Sequence, residues 1–492
     1  MNLSLFTPEL TLAATGVLVI MLDLFIKQKG WLAAVSILGL AVSGVFAMGL
    51  WNGTPQATFS NMLAVDNYAV FFKFLFVGIA ILVILASTDY VSKFQRFQGE
   101  YYALILLSAL GMMLMASTTE LISLFVSLEL VNLSLYVLVG FLKDGKSTEA
   151  SLKYLLLSAV ASAVLLFGMA LVFGFTGQTQ LGEISRSIQS TLMAGQTMSV
   201  PNVLAYPALF VGIVLMISGF GFKIAMVPFQ MWVPDVYEGA PTPITAYLSV
   251  GSKAAGFAII LRVFFSAFAS PLLLSQDWGM VFAVLSALTM TAGNIIAIQQ
   301  NNIKRMLGYS SIAQAGYLMV GLATVGLAPV ISETGQASLL FFLVSYSLTN
   351  LAAFIAIIAI TNKTGSDLID DFKGMGKRTP WLAAALTLAM ISLIGMPPAA
   401  GFMAKFYIFS SAVQHDLLWL VIIAVINSVI SAFYYLRVVK VMWMGEPASP
   451  DKVPASAALI VALIICCLGV LLFGLMPSIG MTFASLAKML GL

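Results

Sequence analysis

Four ionisable side chains lie inside long apolar stretches of this 492-residue sequence, where a charge is costly. They are one glutamate and three lysines: Glu129, Lys223, Lys253 and Lys405. Each charge held at the middle of a lipid bilayer costs about 2.5–3.5 kcal/mol on insertion scales. A buried lysine also releases its proton more readily than an exposed one, because desolvation disfavours the charged form. These residue types therefore favour a proton relay, in which protons pass from one buried group to the next.

A structural ion pair that locks two helices together is the alternative interpretation of Glu129 with one lysine. It accounts for one lysine only, because the apolar stretches hold three lysines and a single carboxylate. The alternative stays open for Glu129 and leaves the other lysines unexplained.

Two of the apolar stretches are interrupted by proline and glycine, and each interruption has a lysine within about two helical turns. The first reads Gly-Phe-Gly-Phe-Lys-Ile-Ala-Met-Val-Pro over residues 219–228, and the second reads Ile-Gly-Met-Pro-Pro over residues 394–398. Proline removes a backbone donor and clashes with the preceding turn. Non-helical backbone at membrane depth is tolerated only beside protein or water. A lone proline is often a simple kink, but a break beside a lysine, found twice, indicates an ion path.

Polar side chains without charge are spread between the ionisable groups. Asn132 follows Glu129, and Tyr309, Ser310 and Gln314 share a later apolar stretch. Serine often hydrogen-bonds back to its own helix, and that interpretation stays open. Because these residues cluster between ionisable groups, we favour a role in holding a chain of water molecules.

The composition is that of a membrane protein. Hydrophobic residues make up 61% of the chain and charged residues 9%, against about 25% charged in a typical soluble domain. Mean hydropathy is +1.03. These values exclude a soluble globular enzyme, a disordered chain and a nucleic-acid-binding protein.

The apolar runs predict an all-α polytopic membrane protein with about 14 transmembrane helices. The predicted spans are residues 6–26, 31–51, 68–88, 101–117, 119–142, 151–176, 204–234, 244–266, 275–298, 302–324, 335–361, 380–413, 417–443 and 454–476. We divide the chain into N-terminal helices 1–3 (1–100), a first repeat (101–266), a second repeat (275–443) and a C-terminal helix with its tail (454–492).

The repeats rest on a weak internal similarity. Tyr-Val-Leu-Val-Gly at 136–140 resembles Tyr-Leu-Met-Val-Gly at 317–321, an offset of 181, and Lys223 and Lys405 are 182 apart. This spacing predicts that the two lysines are equivalent. The prolines fit less well, since Pro228 and Pro398 are 170 apart.

Lysine and arginine are unevenly distributed between the two ends of the spans. Sixteen follow the first, third, fifth, ninth, eleventh and thirteenth spans or lie at helix ends on that side, against four on the other: Lys73, Arg186, Arg262 and Lys488. Because basic residues favour the cytoplasmic side, both termini should be extracytoplasmic. The loop after the seventh span is an exception, with Asp235 and Glu238 and no basic residue. We expect a multi-pass protein of the cell inner (plasma) membrane.

Residues that bind redox cofactors are scarce. Cys466 and Cys467 are adjacent and cannot form an iron–sulfur or zinc site alone. His415 is the single histidine, which excludes a bis-histidine haem, and no nucleotide-binding motif occurs. We expect no cofactor or metal on this chain.

These motifs resemble the antiporter-like subunit N of bacterial proton-pumping NADH–quinone oxidoreductase (complex I). The most specific stretch is residues 223–255, which begins Lys-Ile-Ala-Met-Val-Pro-Phe-Gln-Met-Trp-Val-Pro-Asp-Val-Tyr-Glu-Gly-Ala-Pro-Thr-Pro and ends with Ser-Val-Gly-Ser-Lys-Ala-Ala. Further similar segments are Thr-Pro-Glu-Leu at 7–10, Ser-Leu-Glu-Leu at 127–130, Lys-Arg-Met-Leu-Gly-Tyr-Ser-Ser-Ile at 304–312 and Gly-Met-Pro-Pro-Ala-Ala-Gly-Phe-Met-Ala-Lys at 395–405. The resemblance covers essentially the whole chain. The lysine at 405 distinguishes it from the related subunit M, where glutamate is expected.

The resemblance implies two inverted five-helix repeats, each with a broken helix. It also implies roles: Glu129 as the partner of Lys223, Lys253 as the central lysine, and Lys405 as the lysine of the second half-channel. Lys153 is similar to a basic residue near the cytoplasmic end of the path, and Asp235, Tyr309 and Ser310 are supporting residues. The chain departs from the family in one respect, because Gln230 and Gln314 stand where relatives often have histidine. Lysines and water must then do the work of a histidine relay.

The function implied by the resemblance is a proton-translocating subunit without a redox centre. FMN, iron–sulfur clusters and quinone are then expected in partner subunits. Those partners include the antiporter-like M and the small K-, J- and A-type subunits, all within the lipid bilayer. The alternative is a subunit of a monovalent cation/proton antiporter, for which Glu129 alone provides few oxygen ligands. A purely structural subunit is a third possibility, against which the four buried charges argue.

Overall fold

The computed structural model describes residues 3–91, 93, 97–194, 206–269, 272–327, 333–447, 451–487 and 489. Two basic residues of the orientation argument, Arg96 (one of the sixteen) and Lys488, lie outside the described residues.

The described chain is almost entirely helical. The N-terminal group consists of a 3₁₀ turn (Leu3–Phe6), α1 (Thr7–Phe25), α2 (Gly30–Leu50), β1 (Gln56–Thr58), β2 (Leu63–Val65) and α3 (Asn67–Val91). The next elements are α4 (Gln98–Ser117), α5 (Leu121–Val139), α6 (Gly145–Thr176), α7 (Leu181–Ala194), α8 (Pro207–Ile224), α9 (Trp232–Gly239), α10 (Thr242–Tyr247), a π turn (Leu248–Ser252) and α11 (Lys253–Ser266). They are followed by α12 (Leu272–Ala297), α13 (Ile303–Leu327), α14 (Glu333–Thr364), a 3₁₀ turn (Ile369–Phe372), α15 (Met375–Arg378), α16 (Pro380–Ile394), α17 (Ala400–Gln414) and α18 (Leu418–Met444). The chain ends with α19 (Ala457–Leu475) and α20 (Pro477–Ser485).

Thirteen of the described helical segments are long and apolar enough to cross a membrane. The remaining predicted span, 380–413, is divided between α16 and α17, which have 15 residues each. The all-α polytopic fold with about fourteen spans is therefore confirmed. Each repeat has five spans, so the second repeat begins on the opposite side of the membrane from the first. The two repeats accordingly have inverted topologies.

Both predicted breaks are present, and each begins with a residue in the left-handed backbone region. Ala225, with φ of 64°, follows the end of α8, and Gly395, with φ of 89°, follows the end of α16. Prolines follow at once and prevent the helix from resuming. The carbonyl groups at the ends of α8 and α16 therefore lack helical partners and need others.

The two lysines lie on different sides of their breaks, so their predicted equivalence is wrong. Lys223 is in the last turn of α8, before its break, whereas Lys405 is in α17, after its break. The breaks themselves are 170 residues apart, as the prolines are. The connection that contains α7 (177–206) is longer than its counterpart in the second repeat (365–379), which explains why the offset falls from 181 at residues 136–140 and 317–321 to 170 at the breaks.

The sequence analysis did not anticipate two short elements. One is α7, a helix with Leu181, Ile184 and Ile188 buried along one face. The apolar residues of this segment recur with the helical period, but the segment as a whole is too polar to be predicted as a span. The other is an antiparallel hairpin of β1 and β2, which pairs Gln56 with Val65.

The centre of the bundle is formed by α10, the π turn, α11, α13 and α14. The span from Thr242 to Ser266 is wholly buried, and α13 and α14 are nearly so. In contrast, α2, α6, α18 and α19 have many exposed apolar side chains, which suit contact with lipid. Lys253 begins α11 and so lies at the centre of the molecule.

Two of the four basic residues counted on the extracytoplasmic side are buried in ion pairs. Lys73 forms a 2.7 Å ion pair with Glu9, and Arg262 forms a 2.5 Å ion pair with Asp66. All four side chains are at most 1% exposed. Glu9 and Asp66 are therefore buried carboxylates besides the half-buried Glu129, and these two pairs join the N-terminal helices together and to α11.

Candidate functional site

Lys223 and Glu129 are joined through an amide. The Lys223 ammonium donates a 2.7 Å hydrogen bond to Oδ1 of Asn132. Nδ2 of the same Asn132 donates to Oε1 of Glu129 at 3.2 Å, and the Ser162 hydroxyl donates to that oxygen at 2.5 Å. In the described part of the chain, no direct ion pair joins Glu129 to Lys223. The expected partnership is thus indirect, since α5 places Glu129 and Asn132 one turn apart, with Asn132 in contact with Lys223 of α8 and Glu129 in contact with Ser162 of α6.

Lys223, in the last turn of α8, packs against α11 one turn from Lys253. The aliphatic part of Lys223 packs on Gly256, where a methyl group would lie 3.2 Å from Lys223 Cγ. Gly256 is one turn after Lys253 in α11. The π turn immediately before Lys253 is a feature common at functional sites. Both lysines are buried, at 4% and 3% exposure.

Lys253 is held by α13. Its ammonium donates to the carbonyl oxygen of Ser311 and, at 2.5 Å, to the Ser311 hydroxyl. The hydroxyls of Tyr346 and Tyr237 lie 3.0 and 3.3 Å from the same Ser311 oxygen. The Tyr346 ring also faces the ammonium, at 5.5 Å from its centroid. Ser311 therefore gathers one lysine and two tyrosines from three different helices.

Gln314 connects this cluster to Lys405. One turn after Ser311, Gln314 donates a 3.0 Å hydrogen bond to the carbonyl oxygen of Leu393. Lys405 donates to that same carbonyl at 3.3 Å. A cavity of about 10 Å³ is lined by Gln314, Tyr346 and Lys405, about the smallest space that holds a water molecule. Gln314 thus shares an acceptor with Lys405 and lies one turn from the residue that holds Lys253.

Lys405 also satisfies the carbonyl groups exposed by its own break. Its ammonium donates to Ile394 at 2.9 Å and to the Ser428 hydroxyl at 3.0 Å. A lysine is favoured at a helix C-terminus, where the carbonyl dipoles point outward. At the first break the equivalent bond comes from the Trp232 indole, which donates to the carbonyl of Phe222 at 2.9 Å. Lys223 is consequently free to reach Asn132.

A polar cluster lies beyond Lys405. Ser428 is 3.5 Å from the Tyr317 hydroxyl, and the Tyr317 ring centroid is 4.2 Å from the Lys405 ammonium. Asn294 donates to the Tyr317 hydroxyl and to Asn427, both at 3.2 Å. The hydrogen-bonded groups thus continue from α13 and α17 to α12 and α18.

The supporting residues Lys153 and Asp235 form a separate charged cluster near the end of the first repeat. Asp235 accepts 2.7 Å hydrogen bonds from Lys153 of α6 and from Arg305 of α13. Glu149 pairs with Lys153 at 2.8 Å, and Glu238 with Arg305 at 3.1 Å. These residues line a cavity of about 220 Å³. Asp235 therefore links a cation of the first repeat to a cation of the second.

Asp235 lies outside the spanning segments Pro207–Ile224 and Thr242–Ser266. Partial burial alone would raise the pKa of its carboxyl group, but the hydrogen bonds and charges of Lys153 and Arg305 outweigh burial and lower the pKa. A lowered folded-state pKa stabilises the protein at pH values above the ordinary range of aspartate, and that stabilisation is lost as the pH falls through the folded-state value.

Asp235→Asn is therefore expected to lower the thermal unfolding midpoint of the protein in detergent by about 1 °C at pH 7. The change is small because the pairs are partly exposed and screened by solvent. The midpoint shift is also the change in free energy divided by the unfolding entropy, which is large for a chain of this size. The difference from wild type should shrink as the pH falls below the ordinary range of aspartate, about pH 4, and should vanish only below the lowered folded-state pKa, where the native carboxyl is neutral too. A difference that persists unchanged at low pH would contradict this account.

Tyr309 and Ser310 occupy different environments. Ser310 is buried and shares a hydrogen bond with the Tyr435 hydroxyl. Tyr309 is half-buried one turn after Arg305, and its side chain has no hydrogen bond to a described residue. Gln230, in the first break, has a buried amide oxygen with no partner in the described part of the chain. Ser310 is thus buried against Tyr435 of α18, whereas Tyr309 is partly exposed.

Sequence reasoning missed several polar residues at this site. Asn294, Asn427, Ser428 and Arg305 were not singled out, and Asn132 was noted only as a neighbour of Glu129. An amide inside an apolar run was the available signal, because a buried amide needs partners. Among the described residues, no group of three His, Cys, Asp or Glu side chains is placed as metal ligands would be.

This combination of about fourteen spans, two inverted repeats with broken helices and a buried line of lysines defines an antiporter-like membrane subunit. The family described as NADH:quinone oxidoreductase/Mrp antiporter matches residues 117–431. A protein of Dehalococcoides mccartyi named NADH-quinone oxidoreductase subunit N is 54% identical, over 96% of this chain and 97% of its own. The chain belongs to the subunit N family of NADH-quinone oxidoreductase.

Solved structures agree with this assignment. A chain of respiratory complex I from Thermus thermophilus, solved with bound aureothin, matches with a TM-score of 0.78 and 30% identity over 96% of this chain and 98% of its own. A chain of the Mrp complex from a Dietzia species has a TM-score of 0.83 at 20% identity, over 99% and 97% of the two chains. The second likeness concerns the fold alone.

Proposed function

We propose that this chain is a proton-translocating membrane-arm subunit of a respiratory NADH:quinone oxidoreductase, and that Glu129, Lys223, Lys253 and Lys405 carry its protons. The main supporting observation is the line of buried polar groups between two of the lysines. Lys253 donates to Ser311 of α13, and one turn later Gln314 donates to the Leu393 carbonyl, which also accepts from Lys405.

The chemistry of each step follows from burial. A lysine in an apolar environment exists in either the charged or the neutral form at modest cost, so it accepts and releases protons. Carbonyl and hydroxyl groups hold the ammonium form of Lys253 and Lys405, and water in the small cavity beside Gln314 would carry the proton between them. A change in the charge of Glu129 alters the electrostatic potential at Lys223 and starts the sequence.

The two repeats would act as two half-channels, 101–266 around Lys223 and 275–443 around Lys405, with Lys253 between them. Residues 1–100 and 454–492 would flank them. Lys153 and Asp235 would supply the cytoplasmic end of the path, with both termini extracytoplasmic in the cell inner membrane. The basic residues in the odd-numbered loops support this orientation.

Electron transfer would occur elsewhere in the complex. We propose that this chain has no redox centre, and that FMN, iron–sulfur clusters and quinone are bound by partner subunits. The immediate partners would be the antiporter-like M and the small K-, J- and A-type subunits. Two cysteines and one histidine in the whole chain support this proposal.

Lys253→Met in the assembled complex is expected to reduce proton uptake per quinone reduced by about tenfold or more, since a single added barrier of about 1.4 kcal/mol has that effect. Sealed membrane vesicles that oxidise NADH provide the measurement. Lys452→Met, at an exposed lysine, is the matched control and should pump normally.

Undiminished pumping by the Lys253→Met variant would contradict the proposal. A monovalent cation/proton antiporter would instead show sodium- or potassium-dependent proton exchange in vesicles without NADH. Its cation would need several oxygen ligands, and among the residues that the structure describes Glu129 is the single carboxylate beside the lysine route.

A further inference from the structure

Asn132 lies between Glu129 and Lys223. In the described part of the chain, Glu129 is the only carboxylate of the proposed route and Lys223 is its first lysine. Asn132 is 1% exposed and joins α5 to α8 through a residue pair separated by 91 positions. Its oxygen accepts from Lys223 at 2.7 Å, and its nitrogen donates to Glu129 at 3.2 Å. Both ends of one amide are thus used by the two titratable groups.

We propose that Asn132 is a positioning residue whose amide couples the protonation states of Glu129 and Lys223. This inference rests on the proposed function, because it assumes that both groups exchange protons. The amide itself carries none, since it has one donor end and one acceptor end and does not titrate. It acts as a spacer that senses the charge at each end.

The coupling follows from donor and acceptor matching. In the observed orientation the amide oxygen faces a donor, the ammonium group, and the amide nitrogen faces an acceptor, the carboxylate. This arrangement fits the state in which both groups are charged. Rotated by half a turn, the same amide fits a neutral amine, which accepts, and a protonated carboxyl group, which donates.

When only one group changes charge, a protonated carboxyl group still accepts at its other oxygen and a neutral amine still donates, so neither hydrogen bond has to break. The bond at the neutralised end is weaker, however, because hydrogen bonds to charged groups are about twice as strong as neutral ones. Because hydrogen bonds in a chain polarise one another, the bond at the other end of the amide is weakened too. The amide therefore favours paired changes: one proton leaves the Lys223 ammonium toward Lys253, and one proton from water is bound by the Glu129 carboxylate.

Ser162 supports this arrangement. Its hydroxyl donates to the same Glu129 oxygen as Asn132 does, so the carboxylate is held by two donors on one oxygen. The other carboxylate oxygen forms no hydrogen bond to a described residue and Glu129 is half-buried. A proton from water can reach that oxygen without displacing Asn132.

The double variant Glu129→Gln with Asn132→Asp tests the coupling directly. It exchanges the carboxyl and amide groups on the same helix and keeps their numbers constant. The carboxylate then contacts Lys223 without a spacer and holds it charged. We expect proton uptake per quinone reduced to fall by about tenfold or more, as for the loss of a hydrogen bond to a charged group. Wild-type pumping by this variant would overturn the proposal.

Two single variants guard against misfolding of the double variant. Asn132→Ala should lose pumping, whereas Asn132→Ser should retain more of it, because a hydroxyl can donate or accept in either state. Equal pumping by the alanine and serine variants would overturn the proposal. Ser134→Ala is the matched control on the same helix, since the Ser134 hydroxyl bonds only to the carbonyl of Leu130 in its own helix, and it should pump normally.

The outcomes separate this inference from the proposed function. If Lys223→Met pumps normally, the proposed function fails. If Lys223→Met does not pump while Asn132→Ala and the exchange variant do, the function stands and the coupling role of Asn132 is wrong. Copurification of the partner subunits with each variant shows that the complex has assembled.

Discussion

Lys223→Met is expected to abolish proton uptake by the assembled complex, with quinone reduction either preserved or slowed. Methionine keeps most of the aliphatic chain that packs on Gly256, so the helices should stay in place. It removes the group that donates to Asn132 and the proton it carries. Both rates can be measured together in sealed vesicles. Proton uptake per quinone reduced should fall by about tenfold or more.

Lys223→Arg distinguishes a proton carrier from a structural cation. Arginine keeps the positive charge and the donor to Asn132, but it does not release its proton in proteins. We expect the arginine variant to assemble and to fail in pumping. Restoration of pumping by arginine would show that Lys223 serves as a fixed charge, and unchanged pumping by the methionine variant would remove it from the route.

Much of this arrangement could be predicted from residue types along the chain. Apolar runs located the spans, because a bilayer excludes polar stretches of that length. Proline and glycine located both breaks. Glu129, Lys223, Lys253 and Lys405 stood out since a charge inside a span is rare and costly. These signals are local, so a single sequence contains them.

The parts that could not be predicted depend on contacts between distant residues. The role of Asn132 depends on its contact with Lys223, which is 91 positions away, so the sequence does not distinguish Asn132 from other amides. The sequence offset between the repeats changes at the connection that contains α7. The spacing of Lys223 and Lys405 therefore suggested that they are equivalent, although they lie on opposite sides of their breaks. The ion pairs of Lys73 and Arg262 were not predicted, because their carboxylate partners, Glu9 and Asp66, are far from them in sequence.

Arg262 gives the second large expected effect, on stability. Its guanidinium forms two hydrogen bonds to Asp66, at 2.5 and 2.9 Å, and donates to the carbonyl of Ala116 at 2.8 Å. Asp66 in turn accepts from the amide of Ala69 in the first turn of α3. One buried ion pair thus holds α3, α4 and α11 together at the boundary between the N-terminal helices and the first repeat.

Arg262→Met is expected to destabilise the protein by about 3–5 kcal/mol, because it breaks a buried ion pair by removing one partner, the guanidinium that donates two hydrogen bonds to the Asp66 carboxylate. Replacing both partners, as Asp66→Leu with Arg262→Met, should recover part of that loss, since a buried pair is often no better than apolar side chains of similar volume. The unfolding free energy in detergent measures both. Lys29→Met is the matched control: it breaks the more exposed pair with Asp23 and should cost about 1 kcal/mol or less. If Arg262→Met costs no more than Lys29→Met, the buried pair does not hold the N-terminal helices to the first repeat.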